Sequence, residues 1–238
     1  IQEATDVAGS ANYYGVQSAQ NLFVWNLMLW GEGGDIFDEN LKPIFNNEAG
    51  VKATETYMTL RDIGQEGQFA DEEGAARITM EKGETPQMVG WWWFLNNFNN
   101  PETSEVVGKI GVAPVPSVPG APPVGYASTI PIGISSFSNN QEAAWEFIKW
   151  VTHPDLEKEI VVDKSDPAAA TVVALHTSNH LDPEVNEAND GLHQAAAPAL
   201  ENARIDPLIP EWAEVSSILE IAINEIALGA DIQATLDE

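Results

Sequence analysis

The residues best suited to bind a ligand lie near the middle of the chain. Four consecutive aromatic residues, 91–94, are followed by Asn96, Asn97, Asn99 and Asn100. A pyranose ring has one apolar CH face and a rim of hydroxyls, so an aromatic ring can stack on the face while side-chain amides hold the rim. The pattern therefore predicts a non-covalent site for a sugar or another polyol.

The three tryptophans of this segment are not expected to share one surface. In an extended segment Trp91 and Trp93 face one way and Trp92 the other, because successive side chains alternate. For each of them, packing in the core is the alternative to ligand contact. Trp212 also has two interpretations. It follows Ile209-Pro210-Glu211 at a predicted helix start, where amide groups could face ligand oxygens, or it packs between parts of the protein.

Catalytic and metal sites find little support in the sequence. The chain has 37 Asp and Glu residues, so a pair such as Glu72-Glu73 indicates solvated surface more than glycoside hydrolysis. His176 and His180 could ligate a metal on one helix, but the polar residues between them favour a loop. No nucleophile elbow, phosphate loop or dinucleotide fingerprint occurs, so no cofactor is expected. The absence of Cys excludes disulfides and thiolate zinc sites.

The charge of the chain argues against two classes of partner. Ten Lys and Arg residues against 37 Asp and Glu give a net charge of −27. Such a chain should repel nucleic acids and anionic membrane surfaces. The acidic residues are dispersed, which suits solubility at high salt, where screening removes self-repulsion. A salt-loving source is therefore predicted, with an acidic exported protein from an ordinary environment as the alternative.

Three helices can be placed from their apolar patterns and caps. The apolar stretch from Leu22 to Trp30 is too hydrophobic for a surface helix and too short to span a bilayer, so it predicts a buried helix. Asn47 and its neighbours form a capping cluster for the next helix. Ser138 and Gln141 match a capping box, in front of a helix that ends before Pro154.

The remaining elements are shorter or less regular. Trp145 and Trp150, on the helix after the capping box, are expected to be packing residues. The mixture of helices and short strands indicates an α/β or α+β fold. The other predicted elements are helices over 71–82, 191–203 and 211–228, strands over 86–93 and 109–113, a proline-rich loop over 114–123, and an extended segment over 124–134.

The order of these motifs resembles the family 1 extracellular solute-binding proteins. The most specific match is the helix from Ser138 through Trp150, which is similar to the family's SKNKEAAWEFIKWL segment. The apolar helix followed by the GGDIFDE run of residues 33–39 matches as well, as does the FNNEAGV run of residues 45–51. Further matches lie in segments 82–91, 99–116, 125–134 and 200–212.

The resemblance implies an α/β fold of the periplasmic-binding-protein-like (type II) class, in which a hinge joins two lobes and ligand is held between them. Residues 1–123 would form the first part of the C-terminal lobe, and residues 166–238 its second part. Residues 124–165 would supply a hinge crossing, a strand and a helix to an otherwise missing N-terminal lobe. The chain is therefore expected to be a piece of a longer protein, whose upstream part holds half of the cleft and the secretion signal.

The resemblance also assigns candidate ligand contacts. Trp92 or Trp93 occupies the family's stacking position. Tyr126 lies near the hinge and could reach the cleft, with hinge packing as the alternative. Phe23 falls near a ligand-contact position, with core packing as the alternative. The chain departs from the family pattern at Tyr126, where a tryptophan after two glycines is usual, and at Pro86, where a strand would prefer an amide donor.

The function implied by the resemblance is that of a substrate-binding component of an ABC importer. Such a protein captures a sugar, oligosaccharide or polyol without catalysis and delivers it to a membrane permease. It would act as a monomer, outside the cell or in the periplasm, with a lipid anchor as one option. Two alternatives remain open from the sequence: a carbohydrate-active hydrolase that uses a carboxylate pair, and a non-catalytic protein-interaction module.

Overall fold

The computed structural model describes residues 11–12, 20–64, 73–128, 130–165 and 172–238. Helices make up most of the regular structure, and each strand is only two residues long. The helices are α1 (Gln20–Gly31), α2 (Glu48–Asp62), α3 (Glu73–Glu81), α4 (Phe94–Phe98), α5 (Gln141–Val151), α6 (Pro154–Val162), α7 (Thr177–His180), α8 (Pro183–Ala188), α9 (Leu192–Glu201), α10 (Trp212–Ala227) and α11 (Ile232–Asp237). The strands are β1 (Ala11–Asn12), β2 (Met88–Val89), β3 (Gly125–Tyr126) and β4 (Ala203–Arg204).

Helix α1 forms the centre of the main hydrophobic core. Its apolar side chains fall on all sides, so other elements must surround the helix. Trp25 and Leu29 are fully buried, and Trp25 Nε1 donates to Thr54 Oγ1 of α2 at 2.9 Å. Helices α2 and α10 both pack against α1. The predicted buried helix over the stretch from Leu22 to Trp30 is confirmed.

The sequence before α2 explains where that helix begins. Asn47 Oδ1 accepts from the backbone amides of Ala49 and Gly50 at 2.9 and 3.1 Å, as a capping asparagine should. Tyr57 and Leu60 then lie buried on the face that meets the core. The cap predicted from the sequence is confirmed, and it fixes the first turn of α2 against the chain that precedes it.

Two parallel two-stranded sheets connect distant parts of the chain. Ala11 pairs with Met88 in the first sheet, and Gly125 pairs with Ala203 in the second. A Cβ atom on Gly125 would lie only 2.7 Å from the carbonyl oxygen of Ala199, so glycine allows β3 to approach α9 this closely. The second sheet thereby places the residue after Gly125 beside the core.

Two of the predicted strands need correction. The segment 86–93 is extended only at Met88–Val89, because the chain turns immediately afterwards into α4. The strand predicted over 109–113 is wrong, since these residues have no ladder partner in the described part of the chain. The amide of Lys109 is used in a turn, where it donates to the carbonyl oxygen of Val106 at 2.9 Å.

Helix α5 lies on the surface and has no buried residue. The capping box predicted at Ser138 and Gln141 is wrong. Ser138 Oγ accepts from the amide of Asn140 at 3.1 Å, and Gln141 Nε2 donates to the carbonyl oxygen of Ser136 at 3.2 Å.

The aromatic residues of α5 are not packed against the described residues. Trp145 and Trp150 are 52% and 59% exposed, so the packing expected for them is not found within this part of the chain. Phe147 is exposed as well, and its ring lies 5.8 Å from that of Trp150. The helix therefore presents an uncovered apolar surface.

Helix α10 closes the core from the C-terminal side. Leu219, Ile223 and Ile226 are buried at helical spacing, and α11 packs beside them. Gly229 follows with a φ of 106°, a left-handed conformation that ends the helix as predicted. Within the described ranges, no helix combines the length and the apolar character needed to cross a membrane.

We predict that Gly50→Ala destabilises the protein by about 3 kcal/mol, because overpacking against backbone cannot relax. A Cβ atom at this position would lie 1.6 Å from the carbonyl oxygen of Phe45. Urea unfolding measures the change. Gly74→Ala is the control, since Gly74 is helical and has nothing within 4 Å of the added atom. Equal stability of the two variants would contradict this account of the α2 start.

Candidate ligand-binding site

An aromatic cluster lies where β2, β3 and α1 meet. Trp91 stacks on Trp93, with ring centroids 4.8 Å apart and an angle of 11° between the planes. The edge of Phe23 meets Trp91 at 5.9 Å, and Tyr126 meets it at 6.3 Å. All four residues are half-buried. Part of each aromatic residue therefore remains available to a ligand.

Tyr126 is the residue that connects this cluster to the core. Its ring lies 4.6 Å from Phe23 and stacks at 5.8 Å on Trp30. Its hydroxyl donates to Asp206 Oδ2 at 2.6 Å. Burial, and then the hydrogen bond and charge of Asp206, raise the pKa of the Tyr126 phenol well above its usual value. The phenol is therefore a proton donor to Asp206 at any physiological pH.

The neighbouring Arg204 also contacts Trp30. Tyr126 and Arg204 are partners in the β3–β4 register. The guanidinium lies 4.9 Å from the ring centre of Trp30, forms an ion pair with Asp35, and donates to the carbonyl oxygen of Gly34 at 3.4 Å. A cation above an indole face is attracted by the ring quadrupole. This arrangement ties the loop after α1 to β4.

Two cavities adjoin the cluster. The larger has a volume of about 620 Å³ and extends between β2 and the segment 109–118. The smaller, of about 100 Å³, is lined by Phe23, Trp91, Trp92 and Tyr126 together with aliphatic residues. Trp91 and Trp92 line both cavities. Concave, mostly apolar surfaces of this kind are typical of small-molecule sites.

The structure brings four of the six sequence-predicted contacts together at the smaller cavity: Phe23, Trp91, Trp92 and Tyr126. Trp93 lines neither of the two cavities and instead supports Trp91 by stacking. Trp212 is half-buried against the core and also lines neither cavity.

The alternation predicted for an extended segment does not apply here, because the strand ends at Val89 and residues 92–93 form a turn. Trp91 and Trp93 stack on each other, and Trp92 packs against His193, 5.3 Å away, and His180, 6.0 Å away. Trp92 nevertheless lines both cavities together with Trp91.

Sequence reasoning missed three polar residues that support the aromatic cluster but line neither cavity: Asn26, Arg204 and Asp206. Asn26 Nδ2 donates to Asp206 Oδ1 at 3.4 Å, so Asp206 joins α1 to β3. One Asp among 37 acidic residues carries no recognisable pattern. Arg204 could have been found from the sequence. The chain has only ten Lys and Arg residues, so each of them is a candidate for a specific ion pair.

The histidines behind Trp92 serve as structural hydrogen-bonding groups. His193 Nε2 accepts from the amide of Ala174 at 2.9 Å, and His180 Nε2 donates to the carbonyl oxygen of the same residue at 2.9 Å. His176 lies 3.0 Å from Glu157. His176 and His180 thus have separate partners, and the described residues contain no cluster of three or more potential metal ligands.

Comparison with known proteins shows similarity to solute-binding proteins, which agrees with the presence of a ligand cavity. A family model for bacterial extracellular solute-binding proteins matches residues 2–158. A probable amino-acid ABC transporter periplasmic-binding protein of Sinorhizobium fredii is 27% identical over 150 residues, which are 63% of this chain and 33% of that protein. A maltotriose-binding protein of Pyrococcus abyssi is 25% identical over 237 residues, covering 94% of this chain and 48% of the relative.

Solved structures resemble the fold over nearly the whole chain. An ABC transporter solute-binding protein of Agrobacterium radiobacter in complex with ribitol is 26% identical, with a TM-score of 0.76. Maltose-bound MalE3 of T. maritima is 23% identical, with a TM-score of 0.82. Each match covers 99% of this chain and 60% of the other. The likeness confirms the periplasmic-binding-protein-like (type II) α/β fold.

We predict that His193 makes the protein less stable in mild acid. Burial, followed by the charges of His180 and Lys164, lowers the pKa of His193 to about 4. As pH falls from about 6.5 towards 4, His193 binds a proton in the unfolded chain but stays neutral in the folded protein. The free energy of unfolding therefore falls over this pH range, by up to about 3 kcal/mol. Above about pH 6.5 His193 is neutral in both states, and the full stability is present.

Urea unfolding between about pH 7 and pH 4.5 tests this contribution. His193→Gln keeps an acceptor for the Ala174 amide and should flatten the pH dependence. His153→Asn is the control, because His153 is an exposed helix cap whose Nδ1 accepts from the amide of Asp155. If the control flattens the profile and His193→Gln does not, the assignment to His193 is wrong.

Proposed function

Because the chain belongs to the family of bacterial extracellular solute-binding proteins, we propose that it captures a sugar or a polyol as the substrate-binding component of an ABC importer. The observation that carries the proposal is the half-buried aromatic cluster around Trp91, which lines two adjoining cavities. Flat rings bind the apolar face of a sugar, and polar groups at their edge bind its hydroxyls.

The relatives support a polyhydroxylated ligand. The protein of Agrobacterium radiobacter holds ribitol, and the relative in Pyrococcus abyssi is named for maltotriose. The relative in Sinorhizobium fredii is named as a probable amino-acid binder, which is a different chemistry. Here the smaller cavity is lined by aromatic and aliphatic residues and by no charged side chain. An amino acid would need partners for both of its charges, so the sugar or polyol is favoured.

The mechanism we propose is closure of two lobes around the ligand. Ligand binds an open cleft and shifts the equilibrium towards the closed form by its higher affinity for that form. The closed form then docks on a membrane permease. The family is one of extracellular proteins. We propose that this protein acts as a monomer, outside the cell or in the periplasm, with a lipid anchor as one option.

The carboxylates near the aromatic cluster and its cavities favour binding over hydrolysis. Asp206 accepts from Tyr126 and Asn26, and Asp35 is paired with Arg204. A glycoside hydrolase needs one carboxyl group that can protonate the leaving oxygen and a second that can act as nucleophile or base. Both of these carboxylates are occupied as acceptors and line neither cavity. Glu32 is the one acidic residue among the described residues that line the two cavities, so a carboxylate pair is not present there and we propose that the protein is not an enzyme.

We also propose that residues 124–165 contribute to a second lobe, between residues 1–123 and 166–238 of the first. The support is the uncovered apolar surface of α5, on which Trp145, Phe147 and Trp150 are each more than half exposed. Phe147 and Trp150, three residues apart, are neighbours on one side of the helix, and an exposed apolar patch of this kind marks an interface. The matches cover between 33% and 52% of the length of the curated relatives, and we propose that the remainder of such a protein includes the second lobe.

We predict that Trp91→Ala weakens binding of the bound sugar or polyol by about tenfold or more, because the ligand loses its stacking face. Isothermal titration with ribitol, maltotriose and chitobiose measures the affinity, and a glycan-cleavage assay should find no turnover. Trp145→Phe is the control, since it removes an indole from α5 and keeps the helix surface apolar. Binding unaffected by Trp91→Ala, or cleavage of any of these sugars, would reject the proposed site.

We predict that Trp150→Gln destabilises the full-length protein and leaves residues 1–238 on their own almost unchanged. In the full-length protein the indole would be buried by the second lobe, and its loss costs about 3 kcal/mol. Thermal unfolding of both forms measures the difference. Leu228→Gln is the control, because Leu228 is 78% exposed at the end of α10 and should be neutral in both forms. Equal, small effects in both would count against the second lobe covering α5.

A further inference from the structure

We propose that Asp206 is a specificity-determining residue that makes the site reject ligands carrying a carboxylate. The inference rests on the proposed function and narrows its ligand class to neutral polyhydroxylated molecules. It follows from the donors and acceptors around Tyr126, from the existing contacts of the nearby Arg204, and from the residues that line the smaller cavity.

The hydroxyl of Tyr126 has only one proton to donate, and Asp206 receives it at 2.6 Å. The oxygen of Tyr126 therefore turns its remaining lone pairs to any ligand. Donation to an anion makes that oxygen a better acceptor, since hydrogen bonds polarise one another. Because Tyr126 lines the smaller cavity, a ligand that reaches it must bring a hydroxyl donor.

Asn26 holds Asp206 in place from α1. It is fully buried, and its Nδ2 donates to Asp206 Oδ1 at 3.4 Å. Asp206 itself is half-buried, and neither residue lines the smaller cavity. The carboxylate of Asp206 therefore places its negative charge behind the hydroxyl of Tyr126.

The nearest cation does not cancel this charge. Arg204 neighbours Tyr126 in the β-sheet register, but its guanidinium is committed to Asp35, to the carbonyl oxygen of Gly34 and to the face of Trp30. Among the residues that line the smaller cavity there is no Lys or Arg. Lys109 lines the larger cavity, where its Nζ donates to the carbonyl oxygen of Glu105 at 3.0 Å.

A carboxylate beside Tyr126 would be repelled by the charge of Asp206 and would find no Lys or Arg side chain in the lining of the smaller cavity. A hydroxyl in the same place would donate to the oxygen of Tyr126. The repulsion of the acid and this hydrogen bond of the neutral ligand together should make the neutral ligand bind at least about tenfold more tightly than its acid. Asp206→Asn keeps an acceptor for Tyr126 and adds an NH₂ donor, so it should remove most of this preference.

The experiment compares two neutral ligands with their acids, ribitol with ribonate and maltotriose with maltotrionate, on the full-length protein by isothermal titration. Titrations at about 1 M salt, where the Debye length is about 3 Å, suppress the effect of the acidic surface. The variants are Asp206→Asn, Tyr126→Phe and, as the charge-matched control, Asp62→Asn on the exposed end of α2. Circular dichroism and thermal unfolding verify that each variant is folded.

The proposal expects the acid to bind at least about tenfold more weakly than its neutral partner in the wild type and in Asp62→Asn, with the ratio reduced by about tenfold in Asp206→Asn. Tyr126→Phe should weaken the neutral ligand and keep the rejection of the acid, because the charge of Asp206 remains. An unchanged ratio in Asp206→Asn, or equal binding of acid and alcohol by the wild type, overturns the proposal and leaves the proposed function standing. Absence of binding by both neutral ligands overturns the proposed function, and this inference with it.

Discussion

The site depends on the packing of the Tyr126 ring among other aromatic rings and on the hydrogen bond of its hydroxyl. One phenol ring touches Phe23, Trp30 and Trp91, and its hydroxyl is held by Asp206. These partners come from α1, from the segment after β2 and from the segment after β4, which are far apart in sequence. Gly125 lets the strand approach α9 closely enough for this to happen. If Tyr126 moved, Trp91 would lose its lateral support and the smaller cavity its shape.

Basic residues are scarce in this chain, and one of them supports the aromatic cluster. With only ten cations against 37 acidic residues, a committed ion pair such as Arg204 with Asp35 uses a scarce group, whereas another carboxylate is common. The same guanidinium lies 4.9 Å from the ring centre of Trp30, the indole on which Tyr126 stacks. The remaining dispersed acidic surface agrees with the predicted salt-loving source, which stays a prediction.

Local patterns predicted most of the elements, because their causes are local. The cap at Asn47, the buried helix around Trp25 and the glycine stop at Gly229 each depend on residues within one or two turns. The capping box was predicted wrongly because the same side chain can form two different local hydrogen bonds. Ser138 could cap the helix at its third amide or close a tighter turn to Asn140, and the turn prevailed. Asp206 could not be found, because its role exists only after β4 has paired with β3.

The most direct test of the account is to observe the indole groups individually as ligand is added. Two-dimensional ¹H–¹⁵N spectra resolve the indole N–H signals, which can be assigned by single Trp→Phe variants. The account predicts that ribitol or maltotriose shifts the Trp91 and Trp92 signals in a saturable way, while Trp25, buried in the core, keeps its position. Signals of Trp91 and Trp92 that stay unmoved while a neutral polyol binds elsewhere would contradict the claim that these rings form the ligand-binding surface.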